Sequence, residues 1–162
     1  MLTSFQIRWF MDIHSAAGDI LYSWGDDDDQ TTTSTMNFLN SAYDGKRGVT
    51  GDSVYKEYIP TADFTNIKNV AAKTVAAMKA VGGRSYTAGQ SVGLYPTSGA
   101  SDDYAFSRYW AKSGANKVYG YTMEFGYSTN FYPTLSEFNQ NILDTNAGFM
   151  DWALAAIAVG LD

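Results

Sequence analysis

The chain has 162 residues, enough for one domain, and its 45% apolar content is sufficient to build a core. A net charge of −6 without any Lys/Arg cluster argues against a nucleic-acid partner, and no unbroken apolar run reaches the ~18 residues that read as a membrane span. With no cysteine there is no disulfide framework, no thiolate nucleophile and no cysteine-based zinc site.

In chain order, Met1-Leu2-Thr3-Ser4-Phe5-Gln6 lacks the basic start and apolar centre of a secretion signal. Trp9-Phe10-Met11-Asp12-Ile13-His14-Ser15 is a near-continuous apolar run that ends in His-Ser and breaks into a loop at Gly18. It predicts a buried strand that delivers a polar residue to the carboxyl end of a sheet, where open α/β sheets bind ligands. His14 is the only histidine, so any histidine chemistry of this chain uses it.

Asp26-Asp27-Asp28-Asp29, followed by Gln30 and a Thr/Ser run, reads as a solvated loop whose like charges repel. The alternative is a cation site, although the spacing is not that of an EF-hand. Met36 to Tyr58 is mixed, with a short helix at Asn37–Asn40 and a turn at Tyr43–Gly48. Ser53-Val54-Tyr55-Lys56 spells Ser-x-x-Lys, in which a lysine one helical turn on takes the serine proton. Matches with two fixed positions recur by chance, and no companion motif of that class is present.

Pro60-Thr61-Ala62-Asp63 opens a helix that runs to about Val81. Ile67, Val70, Ala71, Val75, Met78 and Val81 form its buried stripe, Lys68, Lys73 and Lys79 its wet side, and Gly82-Gly83 its stop. Arg84 to Gly93 is a strand and turn; Leu94 to Asp103 is a Pro/Gly/Ser loop of the kind that contacts ligands, its last Asp capping a helix from Tyr104 to Lys112. Lys117 to Gly126 alternates as a strand, and from periodicity alone Glu124 is an exposed strand-end carboxylate. Thr134-x-x-Glu137 is a capping box for a helix through Phe138, Ile142 and Leu143. Asn146-Ala147-Gly148 bends or breaks it before Phe149 to Val159, an apolar helix that must be buried.

Three stretches together resemble the zinc carboxypeptidase family, peptidase family M14. Asp12-Ile13-His14-Ser15 with Tyr22-Ser23-Trp24-Gly25 looks like the strand that gives the family its last zinc ligand. Tyr95-Pro96-Thr97-Ser98-Gly99-Ala100-Ser101-Asp102-Asp103-Tyr104 looks like the loop and helix start that close over the substrate. Tyr121-Thr122-Met123-Glu124-Phe125 looks like the strand that carries the catalytic glutamate.

The resemblance implies an α/β fold, a mixed β-sheet of about four strands flanked by helices, in one partial domain over residues 1–162 equivalent to the C-terminal half of the family's catalytic domain. It implies that His14 binds zinc through an imidazole nitrogen, and that Glu124 takes a proton from water and passes it to the leaving amine. Phe106 is set where the family has a mobile tyrosine over the bound C-terminal residue. Tyr104 and Ser15 join it as substrate-binding residues, and Ala16 leaves the wall beside Ser15 open. A peptide or small ester is the implied substrate, and secretion is the family's usual setting.

The sequence holds no His-x-x-Glu pair and no second histidine, and Arg8, Arg47, Arg84 and Arg108 do not fall in the family's carboxylate-binding motifs. Three functional readings remain open. One is a hydrolase whose metal ligands are completed by Asp12, Asp19, Asp26 or a neighbouring subunit. Another is an inactive remnant acting as a binding or assembly module. The third is an esterase or amidase using Ser15 or Ser53. A sheet lacking half its strands exposes an edge and an apolar face, so a homo-oligomer is expected, and two His14 side chains meeting in a dimer would permit a shared metal.

Overall fold

In this computed structural model, which describes residues 6–160, most of the opening stretch read against a secretion signal lies outside the described residues. The chain runs β1 (Trp9–Ser15), β2 (Asp19–Tyr22), β3 (Asp29–Gln30), β4 (Glu57–Tyr58), α1 (Thr61–Gly82), β5 (Thr87–Gln90), α2 (Ser101–Ala111), β6 (Tyr119–Phe125) and α3 (Leu135–Val159). Four strands form one mixed sheet in the order β1-β6-β2-β5, with β1 parallel to β6, β2 antiparallel to β6, and β5 parallel to β2. β3 and β4 make a separate parallel pair. This is the mixed α/β fold that the sequence predicts.

Because side chains alternate across a strand, the register sorts the sheet into two faces. Tyr121 and Met123 of β6 pair with Tyr22 and Ile20 of β2, and this face is buried against α1 and α3. Thr122 and Glu124 lie on the opposite face with Asp12 and His14, their partners on β1. Burial of each large side chain in this core, such as Ile67, Met78, Phe106 and Met123, contributes about 1.5–3 kcal/mol.

α1 begins and ends as its periodicity predicts. Gly83 caps it at φ 81° and donates its N–H to Lys79 O at 2.8 Å. Its stripe differs at one turn: Thr74 is buried, its hydroxyl donating to Val70 O at 2.9 Å, whereas Val81 is 60% exposed. The Thr134/Glu137 capping box forms, but α3 continues unbroken through Asn146-Ala147-Gly148. Gly148 is there for close packing rather than for a break, since a Cβ on it would meet Met123 Cε at 2.9 Å and Met78 Sδ at 3.0 Å.

One further expectation for the C-terminal segment is overturned. Met150, Leu154 and Ile157 are each more than 60% exposed, so Phe149 to Val159 is not buried as its composition predicts. By length and composition alone, α3 is long and apolar enough to cross a membrane. Its inward face is nonetheless polar at Asp144, fully buried, which accepts from Tyr86 OH at 2.9 Å and pairs with Arg84 Nη2 at 3.1 Å. β1 is another correction: it is a sheet edge, half-buried at Trp9–Asp12 and exposed from Ile13 to Ser15, rather than a buried strand. α2 starts at Ser101, two residues before the expected Asp103 cap; the capping residue is Ala100, whose side chain has no acceptor to offer. Ser53 and Lys56 stand in an irregular segment before β4, and Lys56 Nζ faces Asp28 Oδ2 at 3.5 Å, so no helical turn brings lysine to serine.

The four-aspartate run is not a wet loop. Asp27 is fully buried, accepting N–H donors from Asp28 at 2.8 Å and Gly48 at 2.9 Å. Asp29 accepts the Trp24 N–H at 3.3 Å, and Glu57 of β4 is fully buried against the Tyr55 hydroxyl. Burial pushes Asp29 up to about 9, Glu57 up to about 8 and Asp103 up to about 7, with neighbouring carboxylates adding to each shift.

Two measurements test this account of the fold. A Cβ at Gly120 would stand 2.3 Å from Asp102 O and 2.8 Å from Asp102 Cα, backbone atoms that cannot rotate away. Gly120→Ala therefore lowers unfolding stability by about 2 kcal/mol or more in urea titration, and an unchanged midpoint contradicts the close approach of β6 to α2. The raised carboxyls of Asp29, Glu57 and Asp103 stay protonated in the fold above the ~4 at which they ionise when unfolded. The unfolded chain binds fewer protons across that interval, so stability falls as pH rises from about 4 to about 9. Thermal melting should show this fall, and Asp29→Asn should flatten it; a melting temperature that rises from pH 5 to pH 9 is the opposite outcome.

Candidate active site

The parallel register of β1 and β6 places His14 opposite Glu124 and Asp12 opposite Thr122, four side chains on one face of the sheet near its carboxyl end. They line a cleft of about 210 Å3 whose far wall is the segment from Ser91 to Asp102. Leu21 of β2 contributes from the next strand inward. The parallel pairing is what brings this about: residues far apart in sequence end at the same edge of the sheet.

His14 Nε2 lies 3.1 Å from Asp12 Oδ2 and its Nδ1 lies 3.5 Å from Glu124 Oε1, so each ring nitrogen faces a carboxylate. The His14 side chain is 51% exposed whereas that of Glu124 is 13% exposed, a carboxylate at the floor of the cleft rather than on the surface. Burial pushes the Glu124 carboxyl up, and the nearby His14 charge opposes this. Asp12 is held low, first because the Ser101 hydroxyl donates to its Oδ2 at 2.5 Å. The two carboxylates flanking one imidazole are thus driven apart: Glu124 toward holding a proton, Asp12 toward remaining charged.

The cleft's opposite wall is set by α2. Ser91 donates its hydroxyl to Asp102 Oδ2 at 2.5 Å, and Asp102 also accepts the Asp103 N–H at 2.9 Å, which fixes the first turn. Asp103 accepts the Gly25 N–H at 2.9 Å, tying that turn to the loop after β2. Leu94, Tyr95 and Thr97 line the wall between them, and Tyr95 is 62% exposed.

Of the residues singled out from the sequence, the structure brings together His14 and Glu124, with Asp12 beside them. Phe106 is not at the cleft: it is fully buried, packed at 5.1 Å from Trp24 and 4.5 Å from Trp110 between ring centroids. Its place in the helical stripe of Asp102, Ala105 and Phe106 is the signal that it is core. The aromatic residue that does line the cleft is Tyr95, which in the sequence carries only the signals of a Pro/Gly/Ser loop. Tyr104 borders a different cavity and takes Arg108 Nη1 on its hydroxyl at 2.5 Å. Ser15 is exposed at the end of β1, on the opposite face from His14. Ser101 was missed, because a serine becomes meaningful only once α2 is docked on β1.

The fit to zinc is partial. Among the described residues no group of three His, Asp or Glu side chains is arranged to hold a metal ion. Asp19 is the cross-strand neighbour of Glu124 in the β2–β6 register and Asp26 lines a separate cavity, and neither is part of a three-residue ligand group among the described residues. The single imidazole, with both nitrogens facing carboxylates, is one ligand and not a site.

A family model described as zinc carboxypeptidase matches residues 1–148. Among solved structures, the carboxypeptidase A from Helicoverpa armigera is similar with a TM-score of 0.55 and 18% identity, over 95% of this chain and 31% of that one. Bovine thrombin-activatable fibrinolysis inhibitor, solved in complex with tick carboxypeptidase inhibitor, is similar with a TM-score of 0.59 and 15% identity, over 94% of this chain and 40% of that one. At such identities the likeness is one of fold, and the chain spans 31% to 40% of the length of these structures. No curated protein matches the chain.

Proposed function

The chain belongs to the zinc carboxypeptidase family, and from that premise we propose that it carries the general base and one metal ligand of a hydrolase that releases residues from the carboxyl ends of peptides. The observation that supports this best is the pair His14 and Glu124, 3.5 Å apart on adjacent strands at one edge of a cleft.

Glu124 is the proton carrier. Its half-buried position raises its proton affinity, so it accepts a proton from the attacking water and returns it to the leaving amine. Asp12, held charged by Ser101, orients the His14 ring from the other nitrogen. Tyr95, exposed on the far wall, closes over the bound terminal side chain. His14 is the imidazole this chain offers to zinc, and the described residues bring no second and third ligand.

A second reading, an inactive module that binds and assembles, is favoured by that same incomplete ligand set. The two are separated by assaying a peptide with a free carboxyl end in the presence of zinc. On the hydrolase reading, Glu124→Gln lowers kcat by about 10²–10⁴-fold with little change in KM, a substrate amidated at its carboxyl end is spared, and His14→Ala loses zinc measured by elemental mass spectrometry. Wild-type protein that binds no zinc and turns over no peptide leaves the binding module.

Self-association belongs to the same proposal. β1 is one edge of the sheet, and α3 presents Leu135, Met150, Leu154 and Ile157 to solvent, an apolar face with no covering element among the described residues. A second copy covering these surfaces gives a dimer mass by light scattering at micromolar concentration; a monomer mass there refutes it.

A further inference from the structure

Beside the His14 cleft lies a second one of about 310 Å3, and Thr97 borders both, so the strap of Thr97, Ser98 and Gly99 divides them. Trp24 and Phe38 line that second cleft and also a third space, a pocket of about 250 Å3. The pocket shares no lining residue with the His14 cleft, so its chemistry is independent of the hydrolase reading.

Four rings enclose it. Trp24, 4% exposed, is the innermost, and half-buried Phe38, Tyr58 and Trp110 leave part of their surface open to the pocket. Trp24 stands 5.5 Å from Phe38 and 6.1 Å from Trp110 between ring centroids, inclined at 57° and 55°, so the rings bound a space instead of stacking shut. Each is fixed from behind. Trp24 Nε1 donates to Tyr58 O at 3.1 Å, the Phe38 N–H donates to Glu57 Oε1 at 2.9 Å, and Trp110 packs edge-on against buried Phe106 at 4.5 Å. The pocket is therefore formed before anything enters it.

The lining selects the ligand. It holds no Lys, Arg, His, Asp or Glu, which gives an anion or a metal ion nothing to bind. A further cation is disfavoured as well, since the Lys117 ammonium already stands 5.9 Å from the Trp110 ring centroid. The Asn37 amide donates to Ser34 O at 2.7 Å and accepts the Leu39 N–H at 2.9 Å, so a sugar or an amide would find only the Ser34 and Tyr58 hydroxyls. Among the described residues no lining side chain has a buried polar atom without a partner, so the pocket calls for carbon and not for hydrogen bonds. Leu39, 56% exposed at the rim, is an apolar side chain that an occupant would cover. A flat ring suits tilted Trp and Phe walls, against which it packs offset or edge-to-face. Size points the same way: an apolar cavity of ~150 Å3 holds benzene, so this larger pocket holds two fused rings.

We propose that this pocket binds a small neutral aromatic compound of one or two fused rings, packed among Trp24, Phe38 and Trp110 and covered at the rim by Leu39. The compound is a free molecule. A polypeptide carrying the same ring would bring backbone N–H and C=O groups to a rim where Leu39 offers only carbon and the Asn37 amide is already committed.

Calorimetric titration of the chain with indole tests the site, with tetramethylammonium as the cationic probe and acetyl-Gly-Trp-Gly-amide as the polypeptide probe. Saturable one-to-one binding of indole at or below about 1 mM is expected. Both other probes should bind at least about tenfold more weakly, and Trp110→Ala should lose at least about tenfold for indole. Circular dichroism reports whether Trp110→Ala is folded. Ser34→Trp, a change at an exposed rim position, abolishes indole binding by filling the pocket and covers the case in which the first variant does not fold. No saturable binding of indole, binding of tetramethylammonium or of the peptide as tight as that of indole, or undiminished binding in folded Trp110→Ala or in Ser34→Trp overturns the proposal.

Discussion

The parallel pairing of β1 with β6 is the constraint on which the rest depends. Its register puts His14 against Glu124 and Asp12 against Thr122, and a slip of β1 by one residue would turn His14 and Asp12 to the other face, away from Glu124 and Thr122. β6 is held in place from both sides, by β1 and by antiparallel β2, while Gly120 lets the first turn of α2 approach its backbone closely. That approach carries Ser101 to Asp12, and the hydroxyl fixes the charge state of the carboxylate behind the imidazole. Strand register, helix docking and carboxylate chemistry are therefore linked through a few atoms.

Buried polar groups do as much as apolar packing to position the elements. α3 is located by Asp144, reached by Arg84, Tyr86 and Gln140, so a helix with an apolar outer face is oriented by its one buried carboxylate. α2 is located by Asp102 and Asp103, which accept from Ser91 and from the Gly25 backbone. The four-aspartate loop folds inward because Gly48, Trp24 and Gln90 supply it with backbone and side-chain donors. Desolvation raises the proton affinity of Asp29 and Glu57 in particular, so this side of the molecule stores protons at neutral pH.

The two clefts divided by the strap at Thr97 differ in kind. The one at His14 sets a glutamate and an aspartate each within 3.5 Å of one imidazole, a grouping suited to moving a proton. The other is lined by the Trp24 and Phe38 rings together with Asp26, Glu57 and Asp103.

Local signals in the sequence settled much of this fold. The i, i+3, i+4 stripe and paired glycines delimited α1, the Thr134/Glu137 box began α3, and alternation marked β6, because each depends on neighbours within one or two turns. His14 and Glu124 were legible through the family resemblance carried by their flanking residues. Phe106 was misplaced, although its helical spacing from Asp102 already set it on the buried side of α2, and Tyr95 went unnoticed because an exposed loop aromatic has no periodicity to mark it. What only the tertiary structure decided was wherever distant residues supply donors or cover. It made β1 an edge, turned the aspartate run inward and left the outer face of α3 bare. Burial and hydrogen-bond satisfaction are properties of what packs against a residue, and composition along the chain does not carry that information.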